Sequence, residues 1–128
     1  VGKRVKGSAA MELELVSAGG DLVRIRLIGR VVRTDSVSDP DPLARVAGQD
    51  VYKNSVLLDL SESDYIDSSG LSWLLVCHKR FCEAGGQLLL HSLAPSVKET
   101  IRMMRLDLVL NVADDESAAL ELVRKAAS

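Results

Sequence analysis

Between residues 11 and 16 the chain reads Met-Glu-Leu-Glu-Leu-Val, and this alternation of apolar and polar side chains predicts a strand with one buried face. Gly19, Gly20 and Asp21 supply a tight turn, after which residues 22–28 alternate again, so the two runs form a hairpin. Gly29 closes the second strand. Residues 34–42 are dense in Ser, Asp and Pro and predict a loop, whose prolines favour a helix start near Leu43 and whose successor Gly48 stops it. Residues 55–60, Ser-Val-Leu-Leu-Asp-Leu, are almost continuously apolar, as expected of a central strand covered on both faces. A polar loop then leads into a helix over residues 71–83. In it Leu71, Leu74, Leu75, His78, Phe81 and Cys82 recur at helical spacing until Gly85 and Gly86 end it.

Residues 87–91 predict another apolar strand. Pro95 opens a helix with Val97, Ile101 and Met104 on one side and Lys98, Arg102 and Arg105 on the other. Residues 108–112 predict a short edge strand. Asp114 or Asp115 can cap a last helix whose apolar stripe is Ala119, Leu120, Val123 and Ala127. Strands separated by helices pair in parallel through crossovers. The expected fold is therefore α/β: a mixed sheet with an N-terminal antiparallel hairpin and central parallel strands, with helices packed mainly on one face.

A length of 128 residues fits one domain, expected over residues 11–128. Residues 1–10 begin with valine and carry the basic cluster Lys3, Arg4 and Lys6 beside glycines. They are expected to be a flexible terminal segment or an expression remnant. Aromatic residues are scarce (Tyr52, Tyr65, Trp73 and Phe81), so the core must come from Leu, Val, Ile and Ala. A formal net charge of −2 argues against counterion-driven binding to nucleic acid. Cys77 and Cys82 stand five apart on one helix, a spacing that would strain a disulfide and favours free thiols in a reducing compartment. No apolar run reaches membrane-spanning length, and a cytoplasmic location is expected.

The stretch richest in candidate chemistry is Asp59-Leu60-Ser61 through Asp67-Ser68-Ser69-Gly70-Leu71. A buried strand ends there and a helix starts at a Ser-Ser-Gly step, on the carboxyl edge of a largely parallel sheet where α/β folds place their sites. Ser68 or Ser69 can simply cap the helix. Alternatively one of them is a phosphoacceptor, where an added phosphate of about −1.5 to −2 charges is favoured by the helix dipole and opposed by nearby carboxylates. Asp59, Asp64 and Asp67 are candidates for those carboxylates. The pattern leaves both readings open.

The run Val56-Leu57-Leu58-Asp59-Leu60, followed by Ile66-Asp67-Ser68-Ser69-Gly70-Leu71, closely resembles the signature of bacterial anti-sigma-factor antagonists. These are members of the STAS family (sulfate transporter and anti-sigma-factor antagonist). Residues 94–101, 106–112 and 115–120 look like that family's third helix, the strand after it and its closing helix, so the likeness extends over residues 51–123. It implies a single STAS-like domain that is not an enzyme and needs no cofactor. The domain is instead the substrate of a partner, an anti-sigma factor that is itself a serine kinase. The unphosphorylated form sequesters that partner, the phosphorylated form releases it, and a serine phosphatase resets the switch. By position the acceptor is Ser69, with Ser68 the runner-up. Asp59, Asp67, Gly70, Arg30 and Asp35 flank the site, and Asp64, Tyr65, Leu71, Trp73 and Leu74 lie on the docking face. One departure stands out. Where the family has Gly-Glu-Leu-Asp, this chain has Gly29-Arg30-Val31-Val32, so a base replaces one acid and Val32 the other. Asp35 could substitute, and Arg30 could hold a phosphate.

Other motifs add little. The spacing of His78, His91, Cys77 and Cys82 matches no common metal-ligand pattern, so no metal is expected. Neither a nucleophile elbow nor a phosphate-binding glycine loop is present. Trp73 is either core or an interface anchor. The alternative functions are a STAS scaffold without reversible phosphorylation and a small anion- or nucleotide-binding domain.

Overall fold

The computed structural model describes residues 3–6, 11–33 and 41–127. In chain order the elements are β1 (Lys3–Lys6), β2 (Met11–Gly19), β3 (Leu22–Gly29), α1 (Pro42–Ala47), β4 (Ser55–Glu62), α2 (Ser68–Ala84), β5 (Gln87–His91), α3 (Pro95–Met103), β6 (Asn111–Ala113) and α4 (Glu116–Ala127). Short 3-10 turns at Gln49–Lys53 and Leu106–Leu108 precede β4 and β6. The strands lie side by side in sequence order. β1, β2 and β3 pair antiparallel, and β3 through β6 pair parallel.

That order decides where the helices go. Successive parallel strands step the same way along the sheet, so crossovers of one hand place α1, α2 and α3 on one face. There Leu43 and Val46 of α1, Leu74 and Phe81 of α2, and Val97 and Ile101 of α3 pack with Leu13, Ile25, Leu58 and Leu90 of the sheet. α4 follows the last strand and covers the other face, where Ala119 meets Leu57, Leu89 and Ala113. The mixed sheet, its N-terminal hairpin and the helices mainly on one face agree with the sequence pattern.

Away from α4, the second face carries charge. Arg4 pairs with Glu12 at 3.1 Å and Glu14 at 3.3 Å, and Arg26 bridges Glu14 at 3.0 Å to Asp59 at 3.6 Å. Cross-strand pairs of this kind keep register and blunt an edge that could otherwise recruit another strand. Residues 3–6 are thus part of the sheet and not a loose terminus: Val5 is in the core and Arg4 in the charge ladder.

Two further expectations shift. The last strand is Asn111–Ala113 rather than 108–112, because the chain turns at Arg105 (φ 57°) and winds through the second 3-10 turn first. Met104, expected on the apolar side of α3, lies beyond its last residue and is exposed. The short α1 does form; Asp41 caps it, Oδ1 accepting from the Ala44 amide at 3.2 Å. Of the two candidate caps for α4, Asp115 serves, accepting from the Ala118 amide at 2.8 Å. No helix among the described residues is long and apolar enough to cross a membrane.

Candidate functional site

The site is built where three backbone segments meet. After β3 the chain does not leave the sheet at once: Val31 forms a parallel bridge to Ile66, in the loop that joins β4 to α2. The Val31 amide donates to the Tyr65 carbonyl at 2.8 Å, and the Asp67 amide donates to the Val31 carbonyl at 3.5 Å. This brings residues 30–33 against the first turn of α2. A Cβ on Gly70 would fall 2.0 Å from the Val31 carbonyl oxygen, well inside contact distance. Glycine is required there by the close approach of two backbones.

Asp67 caps α2. Its Oδ1 accepts from the Ser69 amide at 3.0 Å, the Gly70 amide at 3.1 Å and the Ser69 hydroxyl at 2.6 Å. The Ser69 hydroxyl in turn accepts from the Arg33 amide at 2.9 Å. The sequence offered Ser68 or Ser69 as the cap. Instead the cap is the aspartate, and Ser69 Oγ is half-buried with both a donor and an acceptor satisfied, while Ser68 is exposed. The Asp67 carboxyl is held below its ordinary range, first by the Ser69 hydroxyl bond. The Gly70 and Ser69 amides and the charge of Arg30 add to this against a smaller opposing effect of desolvation.

Two arginines lie near this step: the Arg33 amide bonds Ser69 Oγ, and the charge of Arg30 acts on Asp67. Arg30 is exposed and lies with its guanidinium carbon 4.3 Å from the Tyr65 ring centroid; that of Arg33 is 5.8 Å from the Trp73 ring centroid. Arg33 was not anticipated. No local pattern marks it, since its place depends on the Val31–Ile66 bridge. Val32, at the position of the family's acid, is buried.

The residues expected around Ser69 divide. Asp64 and Tyr65 are exposed, and the Asp64 carbonyl accepts from Ser96 Oγ at 2.8 Å, which ties the start of α3 to the loop. Trp73 is half-buried and packs on the core. Leu71 and Leu74 are not on a docking face. Both are buried in the main core, because α2 lies flat on the sheet and Val31 covers its first turn. Asp59 does not flank Ser69 either. Its neighbours Leu58 and Leu60 point toward α2, so its own side chain points to the opposite face, where it pairs with Arg26. Partial burial opposes ionisation of Asp59, but hydrogen bonds from Ser61 and the charges of His91 and Arg26 outweigh it and lower its pKa. Asp35 lies outside the described residues.

Cys77 is buried, and burial pushes its thiol up to about 12; Cys82 is exposed, and both are free. Among the described residues no three His, Cys, Asp or Glu side chains cluster so as to hold a metal ion.

A six-stranded mixed sheet with an antiparallel start, and a helix that begins at an Asp-Ser-Ser-Gly step over its parallel half, define an α/β domain of the STAS type. Residues 11–119 match the STAS domain family, and the chain belongs to it. Over 77 residues the chain is 35% identical to a Bordetella bronchiseptica protein named as an anti-sigma factor antagonist, BtrV. The match is 59% of this chain and 66% of that protein, just under two thirds of the relative. Among solved structures, an anti-sigma factor antagonist from Mycobacterium paratuberculosis is similar with a TM-score of 0.66 and 17% identity, over 94% of this chain and 99% of that one. The anti-sigma factor antagonist SpoIIAA in its unphosphorylated form is similar with a TM-score of 0.58 and 20% identity, over 91% and 97%. At such identities these structures attest the fold.

Proposed function

We propose that this domain is a phosphorylation-controlled protein-binding switch acting as an anti-sigma-factor antagonist in the cytoplasm. It binds and is modified; it does not catalyse. With Ser69 unmodified, the loop at Asp64–Gly70 and the exposed side of the first turns of α2 sequester an anti-sigma factor that has serine kinase activity. With Ser69 phosphorylated the partner is released, and a serine phosphatase restores the hydroxyl. In the transfer, Ser69 Oγ bonds to the γ-phosphorus of a nucleoside triphosphate held by the kinase, the bond to the diphosphate leaving oxygen breaks, and the hydroxyl proton passes to a base.

The observation that carries this reading is the placement of Ser69 Oγ on Asp67 in the first turn of α2, directly after the loop that carries exposed Asp64 and Tyr65. A phosphate there adds charge to a surface without disturbing the core. Charge at a docking surface acts through repulsion and the cost of desolvating an ion on contact.

The test is co-expression with kinase-like ATPases encoded beside the gene, mass spectrometry of the Ser69 peptide, and calorimetric binding of each partner to the wild type, S69A and S69D. The switch requires a phosphate on Ser69, binding by S69A, and at least a tenfold loss in S69D. Equal binding by both variants, without phosphate on the wild type, would instead favour a STAS scaffold, a reading to which the Arg30 and Val32 departures lend support.

A further inference from the structure

Phosphorylation of Ser69 creates an electrostatic conflict that this chain is equipped to resolve. The ester has no hydroxyl proton, so the 2.6 Å bond to Asp67 Oδ1 is lost and a dianion is left beside a carboxylate. Asp67 is poorly placed to withdraw, since the same oxygen holds the Ser69 and Gly70 amides at the start of α2. The phosphoryl group is attached through a rotatable side chain and is the part free to turn away. Of the two arginines near this step, the guanidinium of Arg33 lies by the Trp73 ring, which leaves Arg30 as the candidate cation. Its charge already acts on Asp67, and its guanidinium lies 4.3 Å from the exposed Tyr65 ring. Two backbone bonds at the next residue, from the Val31 amide to the Tyr65 carbonyl and from the Asp67 amide to the Val31 carbonyl, hold this arginine's backbone at the site. An exposed cation–π contact is weaker than a charge-assisted, two-pronged hydrogen bond from guanidinium to phosphate.

Building on the reading of Ser69 as phosphoacceptor, we propose that Arg30 captures the Ser69 phosphate. Its guanidinium leaves Tyr65 to do so, and the switch thereby changes the shape of the docking face as well as its charge. In the family pattern this position is acidic and would add to the repulsion. Here the sign is reversed: Arg30 offsets part of the new charge, and uncovering the Tyr65 ring becomes a second way to disfavour the partner.

The test needs no kinase. Phosphoserine is encoded genetically at position 69 in the wild type, in Arg30→Gln and in Arg102→Gln, an exposed control near the far end of α3. Phosphorus NMR then follows the phosphate through its second ionisation, ordinarily near a pKa of about 6. The midpoint is expected about half a pH unit lower with Arg30 than in R30Q, and unchanged in R102Q. Tyr65 ring resonances should move on phosphorylation in the wild type and hold still in R30Q. The same midpoint in all three proteins would overturn the capture. Partner affinity of the wild-type chain with and without the phosphate reports separately on the switch. If phosphate weakens binding while the midpoint ignores Arg30, only the capture fails; if the midpoint shifts and binding is indifferent to phosphate, the switch reading fails and the capture stands.

Discussion

The carboxylate of Asp67 and the hydroxyl of Ser69 share a 2.6 Å hydrogen bond, and the same carboxylate oxygen caps α2 through two backbone amides. One side chain therefore starts the helix and holds the candidate phosphoacceptor. Replacing Asp67 by alanine removes both roles, with an expected loss of about 1 kcal/mol in urea denaturation, within the usual range for a lost cap. Asp67→Asn keeps a capping oxygen and should lose less. Equal losses in the two variants would show that the cap is not what Asp67 contributes.

The pH dependence follows from the same bonds. Asp67 is shifted down in the folded chain, so the unfolded chain takes up a proton first as the solution is acidified. The stabilisation is complete above the unfolded value of about 4 and is lost as the pH falls through the lower, folded value. Denaturation midpoints of the wild type and D67N should therefore lie furthest apart near neutrality and converge in acid. A gap that widened on acidification would contradict the assignment. Asp59 is lowered too and acts in the same direction, but it is present in both proteins and cancels in the comparison.

Gly70 offers a sharper steric test. Alanine there would place its Cβ 2.0 Å from the Val31 carbonyl oxygen, which is backbone and cannot rotate aside. The expected cost is about 3 kcal/mol, at the upper end for overpacking. The damage should be local at first, with the Val31 and Asp67 amides exchanging faster than the β4 ladder in hydrogen-exchange measurements, since both bond across that contact. A variant as stable as the wild type would mean that the two backbones separate easily.

Much of this architecture is legible in local pattern, because local pattern records local physics. β2 and β3 show period two, β4 is apolar on both faces, and α1 is bracketed by Pro42 and Gly48. What escaped depends on partners distant in sequence. Lys3-Arg4-Val5-Lys6 has a single apolar residue and reads as a solvated tail until Glu12 and Glu14 are opposite Arg4. Arg33 reaches the site only because Val31 bridges to Ile66. The resemblance put Leu71 and Leu74 on a docking face, but the sheet and Val31 bury more of the first turn than a one-sided helix would need. The face of Asp59, by contrast, was available from strand parity, since Leu58 and Leu60 point to α2 and the residue between them cannot.

Binding and folding can be separated within a single short segment. Leu74 is fully buried in the core, whereas Tyr65 is 40% exposed with its ring against the Arg30 guanidinium. Leu74→Ala should cost about 3 kcal/mol of stability through the cavity it leaves, and should weaken partner binding only as far as the folded fraction falls. Tyr65→Ala should leave the denaturation midpoint almost unchanged, as exposed substitutions usually do. If the loop is the docking face, the same change should weaken the partner complex by at least tenfold, the behaviour of an aromatic anchor. Calorimetry on both variants at a temperature where each is folded provides the measurement. Tyr65→Ala binding like the wild type would move the interface away from the loop between β4 and α2, and the case for Ser69 as its control point would fall with it.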